Sequence, residues 1–228
     1  MPSTRVDLHS KILDDRVVAR AKARNIDVLV YAPHFTRYDA ARRAAERYSD
    51  DDLLVVPARE IFTGSWRNRK HVLAMDLSAP IPDFITLDAA MAELERQGAV
   101  VLVPHPEYLT VSLEVEDLRR YHDRIDAVEI YNPKYRRADR RRARSMARVH
   151  GFEIFGSSYA HLHGSIGEVC TEFEGRIESA DALYTALREG LDRRIYRRNG
   201  SSHSVWRAAE IGHLAWENTY EKLDRVLL

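Results

Sequence analysis

Short apolar runs alternate with longer helical stretches along this sequence, and no other feature constrains its fold so strongly. The runs are rich in Val, Ile and Leu, as strands buried in a parallel sheet are. Glycines suited to ending helices follow several of the intervening stretches, at Gly98, Gly151 and Gly190. The alternation predicts βαβ units around a parallel sheet. The runs cover residues 5–9, 27–34, 53–63, 70–77, 100–106, 127–133, 152–161 and 167–173.

The composition favours one globular domain and argues against several classes of protein. A chain of 228 residues suits one large α/β domain better than two small ones. Lys plus Arg and Asp plus Glu both total 35, so no net field favours nucleic acid or a membrane surface. The single cysteine, Cys170, excludes an intrachain disulfide. We find no signal-peptide core and no apolar run near the roughly 18 residues of a membrane span, so we expect a cytoplasmic protein.

Imidazoles and carboxylates recur at or near the ends of the apolar runs. In barrels built from βα units, the C-terminal ends of the strands carry the active site. Neutral imidazole and carboxylate are ligands for zinc, manganese and iron. Two or three such ions about 4 Å apart can clamp a phosphoryl group and activate a water. We therefore predict one metal cavity with six ligands. These ligands are His9, His34, Glu60, His71, His105 and His161.

The order of these motifs resembles the polymerase and histidinol phosphatase (PHP) superfamily over residues 5–167. The chain has DLH at 7–9, PH at 33–34, a strand glutamate at 60, HVL at 71–73, PHP at 104–106 and GSSYAH at 156–161. The resemblance implies a distorted TIM-like (β/α)7 barrel of metal-dependent phosphoesterases, with one to three divalent ions (Zn, Mn or Fe). It also implies that His9 serves the first ion and that Glu60 bridges two. His71 and His105 would complete the second ion, and His34 and His161 would serve the third.

Several positions depart from the family pattern: Pro33 stands where an aspartate usually precedes the histidine, a further histidine after the first motif has no equivalent, and two more departures affect the first ion. The first motif is usually His-x-His, and here it is His9-Ser10-Lys11. The last motif usually has an aspartate where this chain has Tyr159. A charged lysine has no lone pair, so one interpretation is that Lys11 replaces an ion, and the other is a solvated lysine at the barrel mouth. The sequence therefore predicts a remodelled site in which the second ion, with Glu60, His71 and His105, is intact.

Two basic stretches flank the predicted site. Residues 63–71, TGSWRNRKH, place Arg67 and Arg69 beside the ions, where they could neutralise a phosphate, with a base or ring stacked on Trp66. The alternative is a solvated hairpin. Residues 134–148, KYRRADRRRARSMAR, could hold nucleic acid or form a solvated helix face.

The tail, residues 201–228, predicts one amphipathic helix added to a barrel of residues 1–200. It could pack on the barrel or on a partner chain, and the sequence does not predict an oligomeric state. The aromatic and aliphatic residues that would make this contact are Trp206, Ile211, Leu214, Trp216, Tyr220 and Leu223.

The first hypothesis is a metal-dependent phosphoesterase that hydrolyses a phosphate ester of a small metabolite or nucleotide by metal-activated water. Lys11, with Arg67 or Arg69, would neutralise the phosphate in catalysis. We expect this enzyme to bind a phosphorylated small molecule and no membrane. The sequence leaves open whether it also binds nucleic acid. The second is a noncatalytic PHP-like barrel acting as a binding module, comparable to an RNA-associated subunit of ribonuclease P. Hydrolysis of an amide or C–N bond is a third reading, but the lysine and aspartate pattern of those barrel enzymes is not found.

Overall fold

The structure is a computed structural model that describes residues 2–107 and 111–227. In the last helix it describes the side chains of residue 201 and of residues 203–216. The strands are β1 (Ser3–Ser10), β2 (Val28–Tyr31), β3 (Leu54–Pro57), β4 (Arg59–Thr63), β5 (Lys70–Met75), β6 (Val100–Val103), β7 (Ala127–Tyr131), β8 (Ile154–Gly156), β9 (Val169–Glu174) and β10 (Arg193–Arg197). The helices are α1 (Asp15–Ala23), α2 (Tyr38–Tyr48), α3 (Leu87–Gln97), α4 (Val115–Arg120), α5 (Arg137–His150), α6 (Ala180–Arg188) and α7 (Ser201–Leu227).

The strands form two mixed sheets of five, in the orders β10-β9-β1-β2-β3 and β4-β5-β6-β7-β8. The triplets β1-β2-β3 and β6-β7-β8 are parallel, as the alternation predicted. In contrast, β9 runs antiparallel to β1 and β10, and β5 runs antiparallel to β4 and β6. The α/β class is therefore confirmed, but the expectation of a wholly parallel sheet is wrong. Neither sheet closes on itself within the described residues, so the expected closed barrel is not seen.

The apolar run at 53–63 illustrates why the topology differs from the prediction. It is one continuous run in sequence, yet it holds β3 of the first sheet and β4 of the second. β4 and β5 are then joined only by residues 64–69. A connection that short can form a hairpin, whereas parallel neighbours need a crossover of about a dozen residues or more. The second sheet therefore begins antiparallel although its strands are as apolar as those of a parallel sheet.

The two sheets share one core, and the edge strand β8 of the second sheet is hydrogen-bonded to β9, an inner strand of the first sheet. Val30 of β2, Leu73 of β5 and Leu102 of β6 are fully buried in a single cluster that draws on both sheets. Where β8 meets β9, the Thr171 hydroxyl donates to the Gly156 carbonyl at 2.9 Å and accepts from the Gly156 amide at 3.0 Å. The ends of strands from both sheets are thereby held over one pocket. In the described part of the chain no helix has the length and apolarity to cross a membrane.

Candidate metal centre

Glu60, in the middle of β4, lies at the centre of a buried histidine cluster. Its Oε1 lies 3.3 Å from His71 Nδ1, 3.3 Å from His105 Nε2 and 3.6 Å from His9 Nε2. His9 lies near the end of β1, His71 at the start of β5, and His105 just after β6. Three predicted histidine ligands, drawn from both sheets, therefore converge on one carboxylate oxygen of a fourth predicted ligand.

The second oxygen of the same carboxylate has a different environment. Glu60 Oε2 accepts a hydrogen bond from the Lys11 ammonium and lies 2.8 Å from His34 Nε2. The Lys11 ammonium also donates to the Ala32 carbonyl at 2.9 Å. Its side chain is only 4% exposed, so the reading of Lys11 as a solvated lysine at the mouth is wrong. One face of Glu60 is thus paired with a buried cation, and the other faces three imidazoles.

The donor set on the Oε1 face fits a divalent ion. Zinc bound tetrahedrally at about 2.1 Å from each ligand keeps the ligand atoms about 3.4 Å apart. Glu60 Oε1 lies 3.3 Å from one nitrogen of His71 and of His105, and the ligand atoms of these three residues all lie within 4.8 Å of one another, whereas His9 does not belong to this compact group. Neither ring nitrogen of His9 or of His71 makes a hydrogen bond among the described residues, although all four nitrogens are buried. Buried polar atoms without partners are rare and costly, and a bound ion would give one nitrogen of each ring a partner.

The protonation states of the histidines and of Glu60 also suit a bound divalent ion. Burial lowers the pKa of His9, His71 and His105 below the ordinary value for histidine, so the three rings are neutral near pH 7. Burial alone would raise the pKa of Glu60, but the Lys11 charge and the surrounding imidazoles outweigh it and hold that pKa well below its usual range. Burial also lowers the pKa of Lys11 to about 8, against the opposing attraction of Glu60. An ionised carboxylate and neutral imidazoles are the forms that bind metal.

We expect the metal-free protein to lose thermal stability as the pH falls from about 7 to about 5. The depressed pKa values of His9, His71 and His105 mean that the folded protein binds fewer protons than the unfolded chain below the ordinary histidine pKa of 6.5. The associated stability is present above about pH 6.5 and is lost as the pH falls through the folded-state pKa values. Thermal melts in chelator should show the loss, and His9→Gln should reduce it. A flat profile in the unmodified protein would contradict the prediction.

His105 is held in place by a carboxylate behind it. The Glu129 Oε2 atom accepts from the His105 backbone amide and from the Asn132 side chain, both at 2.8 Å, and its Oε1 accepts from the Ser157 hydroxyl at 2.5 Å. Burial raises the pKa of Glu129. His105 has a φ of +36°, a conformation that side chains rarely adopt and that persists only where the surroundings enforce it. Glu129 and Asn132 thus position the candidate ligand His105, and their own side chains are engaged in these hydrogen bonds.

At the predicted third-ion position the structure places a second buried lysine. His161 lies beside His34, with ring centroids 5.8 Å apart. The Lys134 ammonium lies 2.8 Å from His161 Nδ1 and donates to the Tyr159 carbonyl at 2.6 Å. It also lies 3.2 Å from Glu210 Oε2, and both side chains of this ion pair are fully buried. Glu210 belongs to α7, so the C-terminal helix contributes a residue to the site.

Tyr159, which stands where the family usually has aspartate, packs against the histidines. Its ring is stacked on His9 at 4.7 Å between centroids and is tilted against His105 at 5.1 Å. The Lys134 ammonium lies 3.7 Å from the ring centre, and the Lys11 ammonium lies 5.9 Å from it. Cations are attracted to the faces of such rings. Two ammonium groups and a phenol ring therefore occupy the region where the family pattern predicts a further ion and its aspartate.

The other predicted site residues lie farther from Glu60 or outside the pocket. In the 64–69 connection, the Arg69 guanidinium lies 4.5 Å from the Trp66 ring centre and donates to the Trp66 carbonyl at 2.8 Å. Arg67 is exposed in the same connection, and the phosphate-binding role of both arginines stays a prediction. His163 does not join the cluster by its side chain but lies 2.9 Å from Asp14, the N-cap residue of α1.

The C-terminal helix packs on the body through its first half. The Trp206 ring lies over Gly164, where an added Cβ would be only 2.1 Å from the ring. Arg207 donates to the Pro133 carbonyl at 2.8 Å, next to Lys134. Of the residues predicted to make this contact, Ile211 and Trp216 are exposed, Leu214 is half-buried, and the side chains of Tyr220 and Leu223 lie outside the described residues.

Comparison with known proteins supports the resemblance. A family model described as PHP-associated matches residues 137–191, which run from α5 into the segment after α6. No curated protein matches the chain in sequence. The solved structure of PsfC from Pseudomonas syringae PB-5123 has a TM-score of 0.70 and 20% sequence identity, and the match covers 94% of this chain and 100% of that chain.

Two further solved structures share the fold and are described as hydrolases. The lesion-specific endonuclease PfuEndoQ of Pyrococcus furiosus has a TM-score of 0.62 and 14% identity over 85% of this chain, which spans 58% of that enzyme. A protein assigned as a metal-dependent phosphoesterase from Bifidobacterium adolescentis has a TM-score of 0.53 and 15% identity, with 82% and 96% of the two chains covered. With the family-model match, these structures confirm the resemblance to the PHP superfamily and a fold that is used by metal-dependent phosphoesterases.

Proposed function

We propose that this chain, with its confirmed resemblance to the PHP superfamily, is a metal-dependent phosphoesterase that hydrolyses a phosphate ester of a small metabolite or nucleotide. The observation that carries the proposal is the contact set of Glu60 Oε1, which has three buried imidazole nitrogens within 3.6 Å. A scaffold that only bound a partner would have no reason to bury three imidazoles around one carboxylate, because each buried polar atom without a partner reduces stability.

Glu60, His71 and His105 would hold one divalent ion, with the His9 ring beside Glu60. Zinc, manganese and iron all accept such a donor set. That ion would polarise a phosphoryl oxygen and make a bound water more acidic. In place of the other ions of the family pattern, the chain has the ammonium groups of Lys11 and Lys134. The proposed site therefore has one ion, where the motif order alone implied up to three.

Lys11 and His34 would act on the substrate from the other side of Glu60. The Lys11 ammonium has three N–H donors, and two of them are used by Glu60 and Ala32. The third could bind a phosphate oxygen in the pocket. The His34 side chain is 31% exposed, which makes it the most open imidazole of the cluster. Arg67 and Arg69, in the adjoining connection, would neutralise phosphate charge at the mouth.

Elemental analysis of the purified protein tests this proposal directly. We expect about one equivalent of zinc, manganese or iron per chain in the unmodified protein, and its loss in His105→Ala, because two ligands bind a divalent ion much more weakly than three. His122→Ala, which removes an exposed histidine, is the matched control and should retain the ion. The rate of phosphomonoester hydrolysis should increase with the ion content. Chelator should abolish the hydrolysis, and added metal should restore it. Protein that binds no ion even with excess metal would refute the proposed mechanism.

A noncatalytic nucleic-acid-binding module is the second candidate, and it rests on α5. The arginines of this helix are mostly exposed, and the endonuclease relatives include a complex with a 27-mer DNA duplex. Such a module should bind RNA or DNA with an affinity that falls steeply as salt increases, and the binding should not require metal. Phosphoester hydrolysis that is lost in His105→Ala would favour the enzyme over the module. The exposed arginines of α5 and of its N-cap position are Arg136, Arg137, Arg141, Arg142, Arg144 and Arg148.

A further inference from the structure

Four aromatic side chains form a continuous cluster that extends from the candidate metal centre to the surface. We call Phe35, Trp66 and Phe84, which rest around the buried Phe62, the aromatic platform. The Phe62 ring is stacked on the candidate ligand His71, with centroids 4.1 Å apart. Phe35 packs edge-on against Phe62 at 4.8 Å and is stacked on Phe84 at 6.2 Å. The platform is therefore an extension of the metal centre and not a separate patch.

The outer rings of the platform are exposed. Phe35 is 52% exposed, Phe84 is 42% exposed and Trp66 is 37% exposed, and the Trp66 ring lies 6.5 Å from Phe35 and 5.8 Å from Phe84. Soluble proteins expose single apolar side chains routinely, but adjacent exposed aromatic rings mark a binding site. The three connections that carry these rings lie far apart in the sequence, so their convergence at one mouth is a product of the fold.

Two of the exposed rings are held in an unusual backbone conformation. Phe35 has a φ of +50° and Phe84 a φ of +63°, values in the left-handed region that bulky side chains avoid. The buried Arg59 fixes both segments at once: it donates to the Thr36 carbonyl at 2.7 Å and to Asp83 Oδ2 at 2.8 Å. Unfavourable backbone conformations that are enforced in this way concentrate at ligand-binding sites. Arg59 thus ties together the two segments that carry the exposed Phe35 and Phe84 rings.

Positive charge adjoins the platform. The Arg69 guanidinium lies 4.5 Å from the Trp66 ring centre, and Arg67 is exposed next to Trp66 in the chain. A ligand that reached from the rings to Glu60 would thus present a planar apolar part to the platform and an anionic part to the arginines, Lys11 and the ion. A sugar phosphate supplies the anion but has no planar ring, whereas a nucleotide supplies both.

We infer that the platform stacks the nucleobase of a nucleotide substrate whose phosphate ester lies at the metal centre. This inference rests on the proposed function and narrows its substrate to nucleoside phosphates. Every base has a π-face, and stacking on aromatic side chains is tolerant of base identity. The platform carries few hydrogen-bonding groups. We therefore expect it to favour ligands that carry a nucleobase over ligands that lack one, and to discriminate only weakly among the different bases.

The test compares adenosine 5′-monophosphate with ribose 5-phosphate, which has the same phosphate ester without the base. We expect the unmodified protein to favour the nucleotide in kcat/KM, and the double variant Phe35→Leu/Phe84→Leu to reduce that preference by about tenfold or more, because stacking depends on the aromatic faces. Leucine keeps an apolar side chain of similar size at both positions. Phe35→Tyr/Phe84→Tyr restores the π-faces and should keep the preference. Val149→Ala, which alters an exposed apolar residue at the far end of α5, is the control for surface apolarity.

A binding measurement separates failure of the inference from failure of the proposed function. Calorimetry on chelator-treated protein needs no turnover, and the nucleotide should bind more tightly than ribose 5-phosphate in the unmodified and tyrosine proteins but not in the leucine protein. Hydrolysis of both compounds with equal kcat/KM in all variants would overturn the inference and leave the phosphoesterase intact. Tighter binding of the nucleotide without any hydrolysis would support the platform and overturn the proposed function. A dimer that dissociates in the leucine protein, with no preference for the nucleotide, would instead assign the rings to a contact between copies of this chain.

Discussion

Replacing Glu60 with glutamine is expected to remove the bound divalent ion and to lower phosphoester hydrolysis by at least about a hundredfold. Glutamine has the shape of glutamate but no charge, and Glu60 Oε1 is the atom on which His9, His71 and His105 converge. The substitution also leaves the Lys11 ammonium buried without its carboxylate partner. Removing one member of a buried ion pair costs about 3–5 kcal/mol of stability. Metal content, turnover and denaturant unfolding should therefore all change in this one variant.

The pH dependence of the same variant identifies Lys11 as the cause of the stability loss. Glu60 raises the pKa of Lys11 against the effect of burial, so its removal should lower that pKa from its present value of about 8. A folded lysine with a lowered pKa binds fewer protons than the unfolded chain, and stability then increases as the pH rises. The destabilisation of Glu60→Gln relative to the unmodified protein should thus shrink between about pH 6 and pH 8. The control Glu95→Gln alters an exposed carboxylate paired with Arg124 and should leave metal, turnover and the pH profile unchanged. Retention of a full equivalent of metal by Glu60→Gln would contradict the assignment of Glu60 as a ligand.

The ligand cluster could be predicted from the sequence because its signal is local. Each candidate ligand lies in or next to an apolar run, and the ends of neighbouring strands meet at one edge of a sheet. This rule groups His9, Glu60, His71 and His105, although the prediction of a parallel sheet was wrong for several strands. The strand directions were not predictable, because a strand buried on both faces is equally apolar in a parallel and in an antiparallel sheet. Only the short 64–69 connection indicates that β4 and β5 form an antiparallel hairpin. Because residues 53–63 form one continuous apolar run, the sequence does not show that β3 ends and β4 begins within it.

The two residues that the sequence reading missed, Lys134 and Glu210, lack such a local signal. Lys134 begins a stretch of arginines, so it was grouped with a solvated or nucleic-acid-binding face, whereas its side chain is fully buried. Its position two residues after Asn132, at the end of β7, was the available clue. Glu210 lies 49 residues beyond His161 in the chain. Its carboxylate accepts a hydrogen bond from the His161 backbone amide at 2.9 Å. No periodicity within α7 predicts that Glu210 enters the pocket, since that depends on where the helix packs.

The buried lysines give the departures from the family pattern a common physical explanation. Lys11 and Lys134 both place an ammonium group near the Tyr159 ring, and each is neutralised by a buried glutamate, Glu60 or Glu210. A divalent ion at the same location would bring two further positive charges into a low-dielectric pocket, and like charges there repel strongly. Lys11 and Tyr159, which stand where the family pattern has the second histidine and the aspartate, therefore belong to a pocket whose charge is supplied by lysine. On this view α7 is part of the site, because it supplies the counter-charge to Lys134.

Removing the charge of Glu210 is expected to destabilise the folded protein by about 3–5 kcal/mol, because it leaves the Lys134 ammonium buried and unneutralised. Glu210→Gln is the suitable change, since the amide oxygen can still accept from the backbone amides of His161 and Leu162, which Glu210 Oε1 now does at 2.9 and 3.0 Å. Lys134→Met should destabilise by a similar amount, because it leaves the carboxylate buried. The free energy of unfolding, measured by denaturant titration in chelator, gives both values without interference from metal.

The double variant Lys134→Met/Glu210→Gln tests whether the charges of Lys134 and Glu210 act as a pair. It contains no uncompensated buried charge, so we expect it to be more stable than the sum of the single effects predicts, with a coupling energy of about 1–3 kcal/mol. The same cycle on the exposed pair Arg124 and Glu95 provides the comparison, and its coupling should be much smaller because solvent screens it. Hydrogen exchange along the first half of α7 should quicken in both single variants and recover in the double variant. Additive losses, with no recovery, would mean that the charges of Lys134 and Glu210 act independently.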